Sequence, residues 1–297
     1  MTAASSLDPF HGIWVPLITP FRDGAPDLVA LQRLTGHLQQ QGVDGFVVCG
    51  TTGEPATLSD DEQQRVLAAV LEVAQDRTPV VFGLSGNDTA AMTARLRALA
   101  SQPLAGWLVS APYYTRPSQD GIRRHFEALA DTTERPLLLY NIPYRSGVAM
   151  ETSTLQALAR HPRIVGIKQS AGHDLDQLSA LIDDTGLRVL SGEDALIFVC
   201  ACLGGHGAIA AAAHVRPDLY RRLWALTQAG RLDEARRLHR ALLPWIRLLF
   251  AEPNPAPLKA ALAMMGLIPD GLRLPMTEAS TDLRQRLERA LPQVLAL

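Results

Sequence analysis

The chain has 297 residues, of which 47% are apolar and 20% are charged, and its formal net charge is −2. This composition is typical of a globular protein, and it lacks the excess of basic residues that attracts nucleic acid. No uncharged apolar run reaches the roughly 18 residues that span a membrane. The first ten residues, MTAASSLDPF, lack the basic start and apolar stretch of a signal peptide. We therefore expect a cytoplasmic protein without nucleic-acid or membrane partners.

Short apolar runs alternate with longer helical patterns from the start of the chain to about residue 210. Runs such as GFVVC and PLLLY are almost continuously apolar, which is typical of parallel strands buried on both faces. The predicted strands cover residues 12–17, 43–49, 79–84, 106–110, 136–141, 164–168, 187–191 and 207–210. The sequence thus predicts an α/β protein built as a (β/α)8 TIM barrel. A doubly wound open sheet is the alternative, but the first predicted βα turn lacks its Gly-rich loop.

The predicted helices carry apolar stripes at helical spacing, and several begin after a capping residue such as Ser59, Asp88 or Ser118. After about residue 215 the pattern is purely helical, with candidate helices at residues 219–226, 235–250 and 257–265. We expect residues 1–214 to form the barrel and residues 215–297 a C-terminal helical extension. The extension should pack on the barrel, so that both form one structural unit.

Three features argue against a disulfide framework, a dinucleotide or a metal. Cys49, Cys200 and Cys202 lie in apolar runs, which predicts buried thiols. Residues 205–210 fit the G-x-G-x-x-A pattern, but they lie late in the chain and no long helix follows them. The eight histidines form neither H-x-H nor H-E-x-x-H, so the ligands of a metal-dependent aldolase are missing. We expect no metal and no organic cofactor.

Lys168 ends the apolar run IVGIK, at the end of a predicted strand where barrel enzymes place their chemistry. Desolvation there disfavours the ammonium form and can lower a lysine pKa from about 10.4 to roughly 7 to 8. A neutral amine attacks a ketone and holds it as a protonated imine. The sequence therefore predicts a Schiff base with a small 2-oxo acid, pyruvate being favoured. The alternative is a lysine that extends from the strand end to solvent.

Other polar residues follow neighbouring predicted strands. Tyr140 ends PLLLY, so its phenol can carry protons for Lys168, although a buried tyrosine is more often a core residue. Thr51 and Thr52 stand in a Gly-flanked turn that can bind a carboxylate or pass a proton, or that is an ordinary βα turn. Arg145 offers a planar fork for a second carboxylate, against the alternative of an exposed loop arginine.

The chain resembles the dihydrodipicolinate synthase and N-acetylneuraminate lyase family of class I pyruvate-dependent enzymes. The resemblance covers nearly the whole length and rests on eight segments in the family's order. These are GIWVPLITPF, GTTGEPATLS, APYYTRPSQDG, YNIPYRSG, GIKQSAG, LSGEDAL, GGHGAIA and EPNPAPLK. The resemblance implies a TIM barrel, a covalent imine with pyruvate, and a homotetramer built from tight dimers.

The resemblance also implies a role for individual residues. Lys168 would form the Schiff base, Tyr140 would donate and accept protons, and Thr51 with Tyr114 would complete a proton relay. Tyr114 would reach in from a neighbouring subunit. The remaining implied contacts are Thr52 and the main chain of Ile209 to pyruvate, and Gly192 with Arg145 to the incoming substrate.

Within the family, GTTGE and the arginine of PYRSG favour the dihydrodipicolinate synthase branch, which condenses pyruvate with L-aspartate 4-semialdehyde. Pro55 and the Gln169–Ser170 pair depart from that branch, so another pyruvate-type aldolase or dehydratase acting on a sugar acid or hydroxy-oxo acid stays open. A non-catalytic sensor of small acids is a third alternative. The positions that match the family's regulatory lysine site hold Gln63 and Ala91, which predicts weak or absent inhibition by lysine.

Overall fold

The computed structural model describes residues 10–172 and 174–297, and within these ranges eight parallel strands close into a barrel. The strands are β1 (Gly12–Pro16), β2 (Gly45–Val48), β3 (Val80–Leu84), β4 (Gly106–Ser110), β5 (Leu137–Asn141), β6 (Ile164–Gln169), β7 (Arg188–Ser191) and β8 (Gly207–Ile209). Each strand pairs with its neighbours along the chain, and β8 pairs with β1 to close the ring. The predicted (β/α)8 barrel is confirmed, with strand ends shifted by one or two residues.

Side chains alternate between the two faces of each strand, and the alternation decides which of them enter the barrel. On β5, Leu137 and Leu139 pack in the large core between strands and helices, whereas Leu138 and Tyr140 belong to a separate inner cluster. On β6, Ile167 packs in the outer core, which places Lys168 on the inner face. Tyr140 and Lys168 both stand at carboxyl ends of strands, where barrel enzymes carry their active sites.

Helices surround the barrel and continue beyond it. The longer ones are α1 (Leu28–Gln40), α2 (Asp60–Ala74), α3 (Thr89–Ala98), α4 (Gln119–Thr132), α5 (Thr152–Leu158), α6 (Leu175–Asp184), α7 (Ile197–Cys202), α8 (Pro217–Gln228), α9 (Leu232–Leu249), α10 (Ala256–Met264) and α11 (Thr281–Leu295). A short helical turn, Pro143–Ser146, follows β5 and carries Arg145. Ser59, Asp88 and Ser118 cap α2, α3 and α4 as expected, and Ser59 forms a capping box with Glu62. None of the helices in the described ranges is long and apolar enough to cross a membrane.

The structure contains elements that were not predicted from the sequence. A hairpin of two short strands, Phe21–Arg22 and Ala25–Pro26, follows β1. Helix α11 buries Leu283, Leu287 and Leu291 at helical spacing, although Pro292 and several charged residues obscure that stripe in the sequence. Helix α8 packs on β1 and α7, directly after the last barrel strand. The domain boundary at residue 214 stays a prediction.

One expectation about the cysteines is wrong. Cys49 and Cys200 are buried, but Cys202 is exposed. Two residues along a helix turn a side chain by about 200°, so the C-x-C pair on α7 cannot face the same core. A residue within an apolar run, such as Cys202, is therefore not necessarily buried.

Candidate active site

Lys168 lies at the carboxyl end of β6 and is only 7% exposed. It is the direct register partner of Tyr140 on β5, and its Nζ lies 4.5 Å from the centroid of the Tyr140 ring. The side chain therefore stays inside the barrel mouth, and the alternative of a lysine extending to solvent is wrong. A buried amine against an aromatic face is partly stripped of water, which is the environment that a nucleophilic lysine requires.

Burial lowers the pKa of Lys168 to about 8, far below its ordinary value. The carboxylate of Asp194 and the side chains of Tyr144 and Glu193 act in the opposite direction and raise this pKa. The effect of desolvation is the larger one, so much more of the amine is neutral near neutral pH than in an ordinary lysine. Asp194 is itself buried, and desolvation raises its pKa to about 7 despite a 2.6 Å hydrogen bond from the Ala212 amide.

The phenol of Tyr140 is buried among polar neighbours. Burial raises its pKa to about 12, while the hydroxyl of Thr51, the charge of Arg145 and the hydroxyl of Ser170 lower it. The phenol thus stays protonated at neutral pH, and two hydroxyl groups lie close to its oxygen. Such an arrangement suits a residue that lends a proton and recovers it within one reaction cycle.

The Gly-flanked turn after β2 is a single 3-10 turn, Thr51–Gly53. The Thr52 side chain is buried, and its Oγ1 accepts a 3.0 Å hydrogen bond from Nδ2 of Asn254. The Thr19 hydroxyl donates to the carbonyl oxygen of Gly53 at 2.8 Å, which ties the turn to the segment after β1. Side chains from two distant parts of the chain therefore hold the turn that carries both threonines.

A cavity of about 520 Å³ opens above Lys168. Seven of the eight predicted site residues line it: Thr51, Thr52, Tyr140, Arg145, Lys168, Gly192 and Ile209. Helix α9 and the segment after it form the opposite wall, with Phe250 and Asn254 among the lining residues. Because the residues come from five strand ends, the closed barrel is what brings them together.

Gly192 provides the space that Lys168 needs. A β-carbon at Gly192 would overlap the Ser170 hydroxyl and would lie 2.9 Å from both Cγ and Cε of Lys168. Such a distance is too short for carbon atoms, so any side chain here would displace the amine. The predicted site residue Gly192 thus shapes the cavity because it has no side chain.

Tyr114 is the predicted site residue that does not line this cavity. Its side chain is 88% exposed, its backbone has a positive φ of 69°, and its amide donates to the Ser146 carbonyl at 3.2 Å. A second cavity of about 280 Å³, largely apolar, opens beside Thr51 and Tyr140. The catalytic roles of all eight residues, including Tyr114, stay predictions.

Several polar residues at the site were not predicted from the sequence. Glu193 and Asp194 follow β7 in the motif SGEDAL and both line the main cavity. The sequence feature that could have identified them is a pair of acidic residues after an apolar strand. Glu54 and Lys259 form a buried ion pair with an Nζ–Oε1 distance of 2.5 Å. No local signal reveals this pair, since 205 positions separate its members.

The departure at Gln169 lies outside the cavity. Gln169 points away from Lys168, and its Nε2 donates to Gln177 at 2.6 Å while its Oε1 accepts from Asn141 at 3.1 Å. Gln177 in turn donates to the Met150 carbonyl. The amide of Gln169 therefore joins β5, β6 and α6 behind the site. Ser170, by contrast, faces Gly192 and the phenol of Tyr140.

Comparisons with known proteins agree on one family. The chain matches the sequence profile of the dihydrodipicolinate synthetase family over residues 9–294. The 4-hydroxy-tetrahydrodipicolinate synthase of Pelobacter propionicus is 42% identical over 269 residues, covering 90% of this chain and 92% of that protein. The enzyme of the same name from Syntrophobacter fumaroxidans is 41% identical over 285 residues, covering 95% and 98%.

Solved structures give the same result. The 4-hydroxy-tetrahydrodipicolinate synthase of Methylacidiphilum fumariolicum superposes with a TM-score of 0.93 at 37% identity, covering 96% of each chain. A chloride-inhibited dihydrodipicolinate synthase from Acinetobacter baumannii, solved with pyruvate, has a TM-score of 0.93 at 35% identity, covering 97% and 100%. A monomeric dihydrodipicolinate synthase variant has a TM-score of 0.94 at 32% identity, covering 98% and 99%. The resemblance carried by the motifs is confirmed: this chain belongs to the dihydrodipicolinate synthetase family.

Proposed function

We propose that this protein is a 4-hydroxy-tetrahydrodipicolinate synthase, which condenses pyruvate with L-aspartate 4-semialdehyde in the cytoplasm. The observation that carries the proposal is the desolvated amine of Lys168 against the ring of Tyr140, at the floor of a cavity. Relatives about 40% identical over nearly the whole chain bear this enzyme name. The lysine itself supplies the electron sink as an imine, so the proposal includes no metal and no organic cofactor.

The proposed reaction begins at Lys168. Its neutral amine attacks the C2 carbonyl of pyruvate, and the carbinolamine loses water to give a protonated imine. Tyr140 gives its proton to the departing hydroxyl, and the phenolate then takes a proton from the pyruvyl methyl group, which produces the enamine. Thr51 stands next to the phenol and passes protons to and from it. The Thr52 hydroxyl and the main chain at Ile209 hold the pyruvate carboxylate.

The second substrate binds beside Arg145. Arg145 lines both cavities, and its guanidinium lies 5.6 Å from the centroid of the Tyr144 ring. A planar guanidinium binds a carboxylate with two parallel hydrogen bonds, which matches the amino-acid end of L-aspartate 4-semialdehyde. The enamine carbon then attacks the aldehyde in the space that Gly192 leaves open.

Tyr114 would take part in the reaction through the assembly of subunits. Tyr114 is 88% exposed next to the exposed ring of Tyr113, and a largely apolar cavity lies beside Thr51 and Tyr140. We propose that Tyr114 of a neighbouring subunit fills this cavity and completes the relay, within a homotetramer of tight dimers. The test mixes two inactive proteins, Tyr114→Phe and Lys168→Ala. Recovery of activity on mixing supports the crossing, and full activity of an isolated monomer contradicts it.

A second pyruvate-type enzyme remains the competing function. Glu193 and Asp194 line the cavity, and carboxylates can accept hydrogen bonds from the hydroxyl groups of a sugar acid. A sensor of small acids is disfavoured, because carboxylate binding does not require a desolvated amine beside a buried phenol.

The deciding experiment measures pyruvate consumption with L-aspartate 4-semialdehyde and with a panel of sugar acids, for wild type and Arg145→Ala. We expect turnover with the semialdehyde and a loss of about 100-fold or more in kcat/KM for Arg145→Ala, since the arginine holds the second substrate. The matched control is Arg231→Ala, which removes an arginine paired with Glu234 on the surface. Turnover of a sugar acid alone, unaffected by Arg145→Ala, would assign the competing function.

A further inference from the structure

Ser170 stands two residues after Lys168, immediately beyond the end of β6. Its amide donates a 2.8 Å hydrogen bond to the carbonyl of Asn141, so the pairing with β5 continues through this residue. Residues two apart on a strand point to the same face, which places the Ser170 side chain on the inner face with Lys168. The side chain is only 1% exposed, and it does not line the cavity above the lysine.

The hydroxyl of Ser170 has an unusual environment. Among the described residues, its Oγ has no hydrogen-bond partner of good geometry, although it is buried. Buried hydroxyl groups are normally paired, because an unpaired one loses the hydrogen bonds that it had in water. Alanine would fill this position without that cost. The hydroxyl of Ser170 would be paired by a nearby group that becomes a hydrogen-bond acceptor during the reaction.

The neighbours of Ser170 identify that partner. A β-carbon on Gly192 would overlap Oγ of Ser170 and would also touch Cε of Lys168, so the hydroxyl and the lysine chain pack on the same glycine. On the other side, the hydroxyl lowers the pKa of the Tyr140 phenol, as the Thr51 hydroxyl does. Two hydroxyl groups from different strand ends therefore lie near the phenol oxygen.

We propose that Ser170 is a positioning residue whose hydroxyl donates a hydrogen bond to the Tyr140 oxygen when that oxygen has given up its proton. The proposal rests on the function proposed above. The phenol proton goes to the carbinolamine hydroxyl, which leaves as water, and the phenolate recovers a proton from the pyruvyl methyl carbon. Between these steps the oxygen is negative, and hydrogen bonds to a charged acceptor are stronger than those to a neutral one.

The test follows proton transfer without the second substrate. In heavy water, enamine formation replaces the methyl protons of pyruvate by deuterium, and proton NMR gives the rate. Dividing this rate by the fraction of enzyme trapped as imine with borohydride separates proton transfer from imine stability. We expect Ser170→Ala to lower the normalised rate about tenfold, the usual effect of one lost hydrogen bond to a charged group. The KM for pyruvate should not change, because Ser170 does not line the cavity.

A double-mutant cycle shows whether Ser170 acts through Tyr140. In a Tyr140→Phe background the oxygen is gone, so adding Ser170→Ala should cause no further loss. The control Thr227→Val removes a buried hydroxyl that bonds only within its own helix, and its rate should equal wild type. An unchanged rate in Ser170→Ala, or an equal fall in both backgrounds, would overturn the proposal. Failure of the proposed function looks different, since wild type would then give no trapped imine.

Discussion

Lys168 and Tyr140 face each other across adjacent strands, with the amine 4.5 Å from the centroid of the aromatic ring. The ring excludes water from one side of the amine, and the barrel interior excludes it from below. The same burial that lowers the pKa of Lys168 raises that of Tyr140, so one residue is poised to lose its proton and the other to keep it. This opposition is the physical basis of the proposed chemistry.

The first prediction concerns the pH dependence of imine formation. The pKa of Lys168 is lowered to about 8, so the neutral amine accumulates as the pH rises towards that value. We expect the rate of imine formation at low pyruvate to rise about tenfold per pH unit below 8 and to level off above it. Rapid quenching with borohydride between pH 6 and pH 10 gives this rate. A rise that continues to pH 10 would mean that the amine is not desolvated.

The second prediction concerns Asp194. Its carboxylate favours the ammonium form of Lys168 and so raises the lysine pKa. Asp194→Asn removes that effect, and the rising limb of the pH profile should move to lower pH. Asp218→Asn is the control, because Asp218 forms a surface ion pair with Arg216. A limb that stays in place, or that moves to higher pH, would show that Asp194 does not control the charge of Lys168.

The sequence predicted the barrel well because the signal is local. Each β-strand is an apolar run, and the side that Lys168 and Tyr140 face follows from strand alternation. The helix starts at Ser59 and Asp88 were equally predictable from their caps. Helix α11 was missed because Pro292 and charged residues interrupt its pattern.

Contacts between distant segments could not be predicted in this way. The hydrogen bond from Asn254 to Thr52 and the buried pair of Glu54 with Lys259 join the turn after β2 to the C-terminal helices. Both pairs join GTTGEPATLS to EPNPAPLK, two segments on which the family resemblance rests, but neither segment indicates which of its residues meet. Such contacts depend on how the C-terminal extension lies over the barrel mouth, which only the folded chain defines. The contacts of Tyr114 in an assembly could not be predicted either, because they depend on how folded subunits pack together.

The third prediction concerns Gly192. Gly192→Ala places a carbon 2.9 Å from Cε of Lys168, so the amine must move and the trapped imine should fall at least tenfold. The control is Gly36→Ala in α1, where the added carbon would lie 3.7 Å from Val73, an ordinary contact. Quantifying the borohydride-trapped adduct in both proteins checks the prediction. Equal trapping in Gly192→Ala and wild type would refute the role of the glycine.

The fourth prediction concerns inhibition by lysine. Gln63 carries no charge, its Oε1 accepts a 2.9 Å hydrogen bond from Arg95, and its Nε2 donates to main-chain carbonyls. Ala91 offers no carboxylate for an ammonium group, and the nearby carboxylate of Asp60 is already paired with Arg95. Initial rates should therefore be unchanged at about 1 mM L-lysine, the range of weak binding. A clear fall in rate at low lysine concentration would contradict this prediction.

The central claim is that Lys168 forms an imine with pyruvate, and intact mass spectrometry after borohydride treatment tests it most directly. We expect wild type to gain the mass of one reduced pyruvyl group, and peptide mapping to place this group on Lys168. Lys168→Ala, once shown to be folded by circular dichroism, should gain nothing. An adduct that persists in Lys168→Ala, or a folded wild type that forms none with pyruvate, would contradict the account.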